Sequence, residues 1–212
     1  MSRRILGVLL GAAFLTAGLP FVPRSSVAAP EPSRVAVSWE LNFKYGSMDR
    51  VYVTIDGKQM AYWYMRYTVI NNSGRDVLFT PSFEIVANTG TVQAAFKETN
   101  GKDNIPNAVF EKIKEVQKNR LLQSPNGIYG KLLQGEDNAR DGVIIFPAFE
   151  PDAREFQLFV MGLSGETAEV KNPVSGKPVI LQKTLELDLR LPGQAIAIEP
   201  KTEVIGMKWV MK

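Results

Sequence analysis

From Arg34 to Phe43 apolar and polar residues alternate. Val35, Val37, Trp39, Leu41 and Phe43 fall on one face, and Arg34, Ala36, Ser38, Glu40 and Asn42 on the other. An extended chain points successive side chains to opposite sides, so this pattern predicts a half-buried strand. Residues 51–55 and the long run 59–70 are also β-prone, and Asp56-Gly57 lies between them. An Asp-Gly pair suits the two-residue hairpin turn, whose central residues both need φ > 0. Residues 71–76 then read as a turn and 77–86 as another strand, with Pro81 marking an edge or a bulge. A second turn, Asn88-Thr89-Gly90, precedes a short strand over 91–96.

The period changes after Ile105-Pro106. Val109, Phe110, Ile113, Val116 and Leu121 recur near helical spacing, with Glu111, Lys112, Lys114, Glu115 and Lys118 between them. This predicts one amphipathic helix over 107–122, entered through a proline and stopped before Ser124-Pro125-Asn126-Gly127. Alternation at i,i+3 and i,i+4 explains its charges as a solvated face. Strand character returns at 142–146, 155–163, 178–189 and 202–211, separated by Glu150-Pro151-Asp152, residues 162–165, residues 172–178 and Pro192-Gly193. Eight or nine strands with turn clusters and a single helix predict a mainly β fold, an antiparallel β-sandwich with one inserted α-helix. The expected domain is residues 29–212, with the helical insertion at 97–138.

The first 28 residues read differently. Arg3 and Arg4 lead into an apolar run over 5–18, followed by Pro20 and the small-residue tail Ser25-Ser26-Val27-Ala28-Ala29. These are the three parts of a secretory signal peptide. The run falls short of the roughly 20 residues that cross a bilayer, so no permanent span is expected. Ser2-Arg3-Arg4-Ile5-Leu6 also partly matches a twin-arginine export signal. Cleavage changes the charge. The chain carries 25 Lys+Arg and 22 Asp+Glu, and Arg3, Arg4 and Arg24 leave with the leader. The mature chain is then formally neutral, which removes the basic excess that would favour nucleic acid.

Cysteine and histidine are both absent. This excludes disulfides, Cys-His and Ser-His-Asp catalysis, and zinc, copper or haem sites built on those ligands. Export without disulfides fits a bacterial envelope, periplasmic or extracellular. No cofactor or metal site is expected.

Two stretches resemble known domains. In Tyr64-Met65-Arg66-Tyr67-Thr68-Val69-Ile70-Asn71-Asn72-Ser73-Gly74-Arg75-Asp76, alternating apolar residues end in Asn-x-[Ser/Thr]-Gly. Gly135-Glu136, Gly142-Val143-Ile144-Ile145-Phe146-Pro147 and Glu155-Phe156-Gln157-Leu158-Phe159-Val160 form the second. They are similar to the immunoglobulin-like β-sandwich domains of uncharacterised bacterial secreted proteins. The resemblance implies a sandwich and no catalytic residues.

Candidate chemistry is sparse. Tyr62-Trp63-Tyr64, with Tyr67 and Tyr52 nearby, is the densest aromatic cluster. Trp63, Met65, Tyr67 and Val69 point one way, and Tyr62, Tyr64, Thr68 and Ile70 the other. One face builds the sandwich core. The other is too apolar for an ordinary wet face, so either the helix covers it or Tyr62, Trp63 and Tyr64 form a binding platform for a sugar or a peptide. Glu136, Asp137, Asn138 and Asp141 are oxygen-rich like a calcium loop, but Ala139 and Arg140 interrupt the spacing and a solvated turn is expected. Gly162-Leu163-Ser164-Gly165 lacks the nucleophile-elbow spacing. Asn71-Asn72-Ser73 matches a glycosylation acceptor, which in a bacterial chain means a polar turn. The expected function is a non-catalytic binding or structural module that recognises another envelope protein. The alternatives are a glycan-binding module and a carboxylate-dependent hydrolase.

Overall fold

Asn42–Ile55 (β1) and Lys58–Ile70 (β2) form the long antiparallel hairpin that Asp56-Gly57 announces. Ile55 pairs with Lys58, and both turn residues have positive φ, 50° at Asp56 and 76° at Gly57. The computed structural model describes residues 30–96, 98–99, 102–103, 106–148, 153–192 and 201–212. The expected leader, residues 1–28, lies outside the described residues.

After the hairpin come Val77–Phe79 (β3), Ser82–Ala87 (β4), Val92–Ala94 (β5), Glu98–Thr99 (β6) and Lys102–Asp103 (β7). The helix Asn107–Gln117 (α1) is followed by Gly130–Leu132 (β8), a 3-10 turn at Glu136–Asn138 and Arg140–Pro147 (β9). Glu155–Met161 (β10), Thr167–Lys171 (β11), Pro178–Arg190 (β12) and Glu203–Met211 (β13) complete the chain. The fold is mainly β, with antiparallel sheets and a single α-helix among the described residues. One sheet has the order β1-β2-β9. The larger runs β12-β10-β4-β5, with β11 pairing the start of β12 and β13 pairing the rest of it.

Pro81 ends β3 rather than bulging a single strand. It separates β3, which pairs β8, from β4, which joins the large sheet beside β10. A residue without an N–H cannot continue a ladder, so the chain changes sheets there.

The two faces of the small sheet are both buried. Its inner face contributes Met48, Trp63, Met65, Tyr67, Ile144 and Phe146 to a core shared with Ile85, Phe156, Leu158, Leu185 and Leu187 of the large sheet. Its outer face places Val51, Val53, Tyr62, Tyr64, Val143 and Ile145 against Val109, Phe110 and Ile113 of α1. Each fully buried aliphatic or aromatic side chain contributes about 1.5–3 kcal/mol. That packing holds the helix, because eleven residues are too few for an isolated one in water.

Two further expectations need correction. The helix ends at Gln117, not near residue 122, because Lys118 adopts a left-handed conformation (φ 50°) that closes it. Leu122 still packs under α1 from the following loop. The strand expected over 34–43 is not a strand before residue 42. Leu41 N–H bonds to the Leu163 carbonyl and Gly165 N–H to the Trp39 carbonyl, and Glu40–Ser164 is an isolated bridge. The backbone that this strap pairs with is the short bend after β10, and no ladder extends from it among the described residues. Val35 and Val37 are left 79% and 69% exposed.

Candidate functional site

Tyr62, Trp63 and Tyr64 are only 3%, 5% and 3% exposed. Alternation along β2 sends Trp63 into the inter-sheet core and Tyr62 and Tyr64 under α1. Gln117 of α1 donates to the Tyr64 hydroxyl, and Tyr62 lies 6.1 Å from the Phe96 ring. A ring must present a face to stack on a sugar. Of the two outcomes open for this cluster, burial holds: Trp63 belongs to one core and Tyr62 and Tyr64 to the other, and the alternative of an exposed platform at these residues is corrected.

Nearby Tyr67 is buried over Gly142, where an added Cβ would come 2.5 Å from Cζ. Burial raises its phenol well above the ordinary tyrosine value.

The other residues singled out in the sequence hold turns. Asn71 is fully buried, and its amide donates to the carbonyls of Arg75 (2.8 Å) and Leu132 (2.9 Å). The nitrogen that a glycan would need is already committed. Glu136, Asp137 and Asn138 lie in the 3-10 turn, whereas Asp141 is on β9 and accepts from Thr68 (2.6 Å) and Asn119 (2.9 Å). Gly162 to Gly165 is the bend that receives the strap, with Leu163 buried. A hollow of about 300 Å³ brings Glu155 and Asp188 together with Asn88 and Gln157. Glu155 is exposed and ion-paired with Arg190 at 3.3 Å, and Gln157 donates to Glu186.

Sequence reading missed Lys183. Its ammonium is buried, 2.9 Å from Glu40, 3.3 Å from Glu166 and 2.9 Å from the Ser33 carbonyl. Burial by itself lowers an ammonium, but hydrogen bonding and charge from Glu40 and Glu166 outweigh it and raise Lys183 above its ordinary value. Glu166 is held below the usual carboxylate range, first by the Ser33 N–H at 2.7 Å and then by Lys183, against the upward push of burial. The cluster fastens the strap to β12. Its partners are distant in sequence, so no local motif announces it.

One apolar surface left open lies at β13. This strand pairs only β12 in a ladder among the described residues, and Val204, Ile205 and Met207 are 37%, 47% and 62% exposed. A register shift between Asp188 and Leu189 sets Ile205 off the ladder. Thr202 and Met48 exchange hydrogen bonds that tie the start of this segment to β1, and the Tyr45 hydroxyl reaches the Met207 sulfur at 3.6 Å. An apolar edge is thus set beside β1, with no second ladder among the described residues, an arrangement that another chain can extend.

Comparison with family models, curated proteins and solved structures finds no match.

Proposed function

We propose that this chain is an exported, non-catalytic recognition module of a bacterial cell envelope that binds another envelope protein along β13. The observation that carries this reading is the exposed apolar stretch Val204, Ile205 and Met207 on a strand with one ladder partner. Soluble proteins usually protect such edges with charge, proline or covering segments. The lysine within β13, Lys208, is drawn to Glu186 at 3.0 Å. An extended segment of the partner would pair with the backbone of β13, giving affinity. Its alternate side chains would lie against Met207 and its neighbours, giving specificity. The resemblance to immunoglobulin-like secreted domains and the signal-peptide pattern support the same setting.

The test is affinity capture from the source envelope extract with residues 29–212 as bait, beside Met207→Lys and Ile205→Lys baits of unchanged melting temperature. A specific protein held through salt washing by the unaltered bait, and lost at least tenfold with both variants, is expected. Equal retention by all three baits, or none by any, would contradict the proposal.

A further inference from the structure

The outer face of the small sheet carries a second feature, where the cover of α1 ends. A recess of about 280 Å³ is lined by Lys44, Arg66, Thr68, Asn119, Leu122 and Asp141, with backbone of β1 at its rim. Lys44 pairs across the hairpin with Thr68, so Lys44, Thr68 and Arg66 share one face. Diagonal neighbours of this kind lie roughly 7–8 Å apart. Two cations are thus placed diagonally across the hairpin on one face, within reach of a single small anion.

No protein anion among the described residues bridges them. Neither Lys44 nor Arg66 has an ion pair among the described residues. The nearby carboxylate, Asp141, has one oxygen taken by Thr68 and the other by Asn119. Asn119 is itself spent, since its oxygen accepts from Leu121 N–H. Asp141 therefore anchors the loop after α1 and pairs with neither cation, though its charge still offsets one of them. The large sheet behaves differently. There Lys212 is paired with Glu84, Lys208 with Glu186 and Arg190 with Glu155.

The backbone is also shaped at this point. Tyr45 pairs with Tyr67 and Met48 with Met65, so Gly46 and Ser47 stand opposite the single residue Arg66. Such a bulge re-aims side chains and interrupts the ladder, and bulges concentrate beside binding sites. The volume falls just below the roughly 300–1,000 Å³ typical of sites for drug-sized ligands, which suits something smaller.

We infer that this recess binds a small organic monocarboxylate, its carboxylate held between Lys44 and Arg66 and its body against Leu122. Two cations and one committed carboxylate leave a single net positive charge, which a monoanion balances. The guanidinium supplies a planar fork for the two oxygens, and the ammonium supplies a point charge beside it. The Thr68 hydroxyl gives its proton to Asp141, so its oxygen is left to accept from a hydroxyl on the ligand. This site is independent of the edge proposed for protein recognition.

The test is amide chemical-shift mapping of residues 29–212 at low ionic strength, where exposed charges are least screened. D-glucuronate, acetate, D-glucose and inorganic phosphate are titrated separately. Saturable shifts confined to residues 44–47, 66–68 and 119–122 are expected with glucuronate and acetate, and none with glucose. Lys44→Gln and Arg66→Gln should each weaken glucuronate at least tenfold without lowering the melting temperature, because both side chains are exposed. Lys177→Gln, in the exposed turn before β12, should leave the affinity unchanged. Shifts spread equally over Lys177, or glucuronate binding unaltered in both recess variants, would overturn the site. Phosphate binding as tightly as glucuronate would overturn the carboxylate assignment.

Discussion

Lys183 holds three partners at once, and removing it leaves Glu40 and Glu166 without their shared cation. Lys183→Met is expected to cost about 3 kcal/mol in urea unfolding, near the lower end for a broken buried pair because Glu40 is 30% exposed. Lys183→Met combined with Glu166→Gln should recover part of that loss. The pH dependence follows from the two directions. Glu166 lies below its unfolded value of about 4.3, so its contribution is present above that pH and fades as pH falls through the folded value. Lys183 lies above its unfolded value of about 10.4, so its contribution is complete below that pH and fades as pH rises through the folded value. Unfolding measured across pH should show both limbs in the unaltered chain and a reduced alkaline limb in Lys183→Met. A second residue-scale contrast concerns glycine. Gly142→Ala would drive a methyl to 2.5 Å from the Tyr67 ring and should cost about 1–3 kcal/mol. Gly46→Ala meets only the Arg66 carbonyl at 3.9 Å and should be nearly silent in the same unfolding assay.

Elements whose rules are local were legible in the sequence. The Asp56-Gly57 hairpin formed as expected, since a two-residue turn depends on its own φ angles. Gly57→Val should cost about 1–2 kcal/mol, read as a lowered urea midpoint, because a branched side chain resists φ 76°. Of the apolar stripe read for α1, Val109, Phe110 and Ile113 are buried, whereas Val116, on its last turn, and Leu121, beyond its end at Gln117, are exposed; its place over Tyr62 and Tyr64 was one of the two outcomes open. Ile113→Ala should cost about 2–5 kcal/mol and speed amide exchange through α1 ahead of β2. The failures have a common cause. Alternation at Val35 and Val37 states a preference for extended chain but not the presence of a neighbouring strand. β11, with the sequence Thr-Ala-Glu-Val-Lys, shows little apolar signal and exists because β12 continues past β10 to meet it. The aromatic run was ambiguous because a central strand between two cores carries the same composition as an exposed platform.

At the scale of the whole molecule, the aromatic wealth of β2 is consumed in joining three layers: α1, the small sheet and the large sheet. Function is then left to what those layers do not cover. With the proposed leader removed the chain would be formally neutral and offer no overall field to draw a partner, so the proposed recognition rests on local surfaces such as β13. Nothing in the alternation of residues 202–211 distinguishes an edge strand from a central one, and only the sheet order makes that difference visible. The most direct measurement is site-specific photocrosslinking in the source cells. A benzophenone side chain would replace Met207 in one strain and Val174, on the exposed turn between β11 and β12, in another. A discrete adduct with another envelope protein from position 207, absent from position 174, is the expected result. No adduct at 207, or the same products from both positions, would contradict recognition along β13.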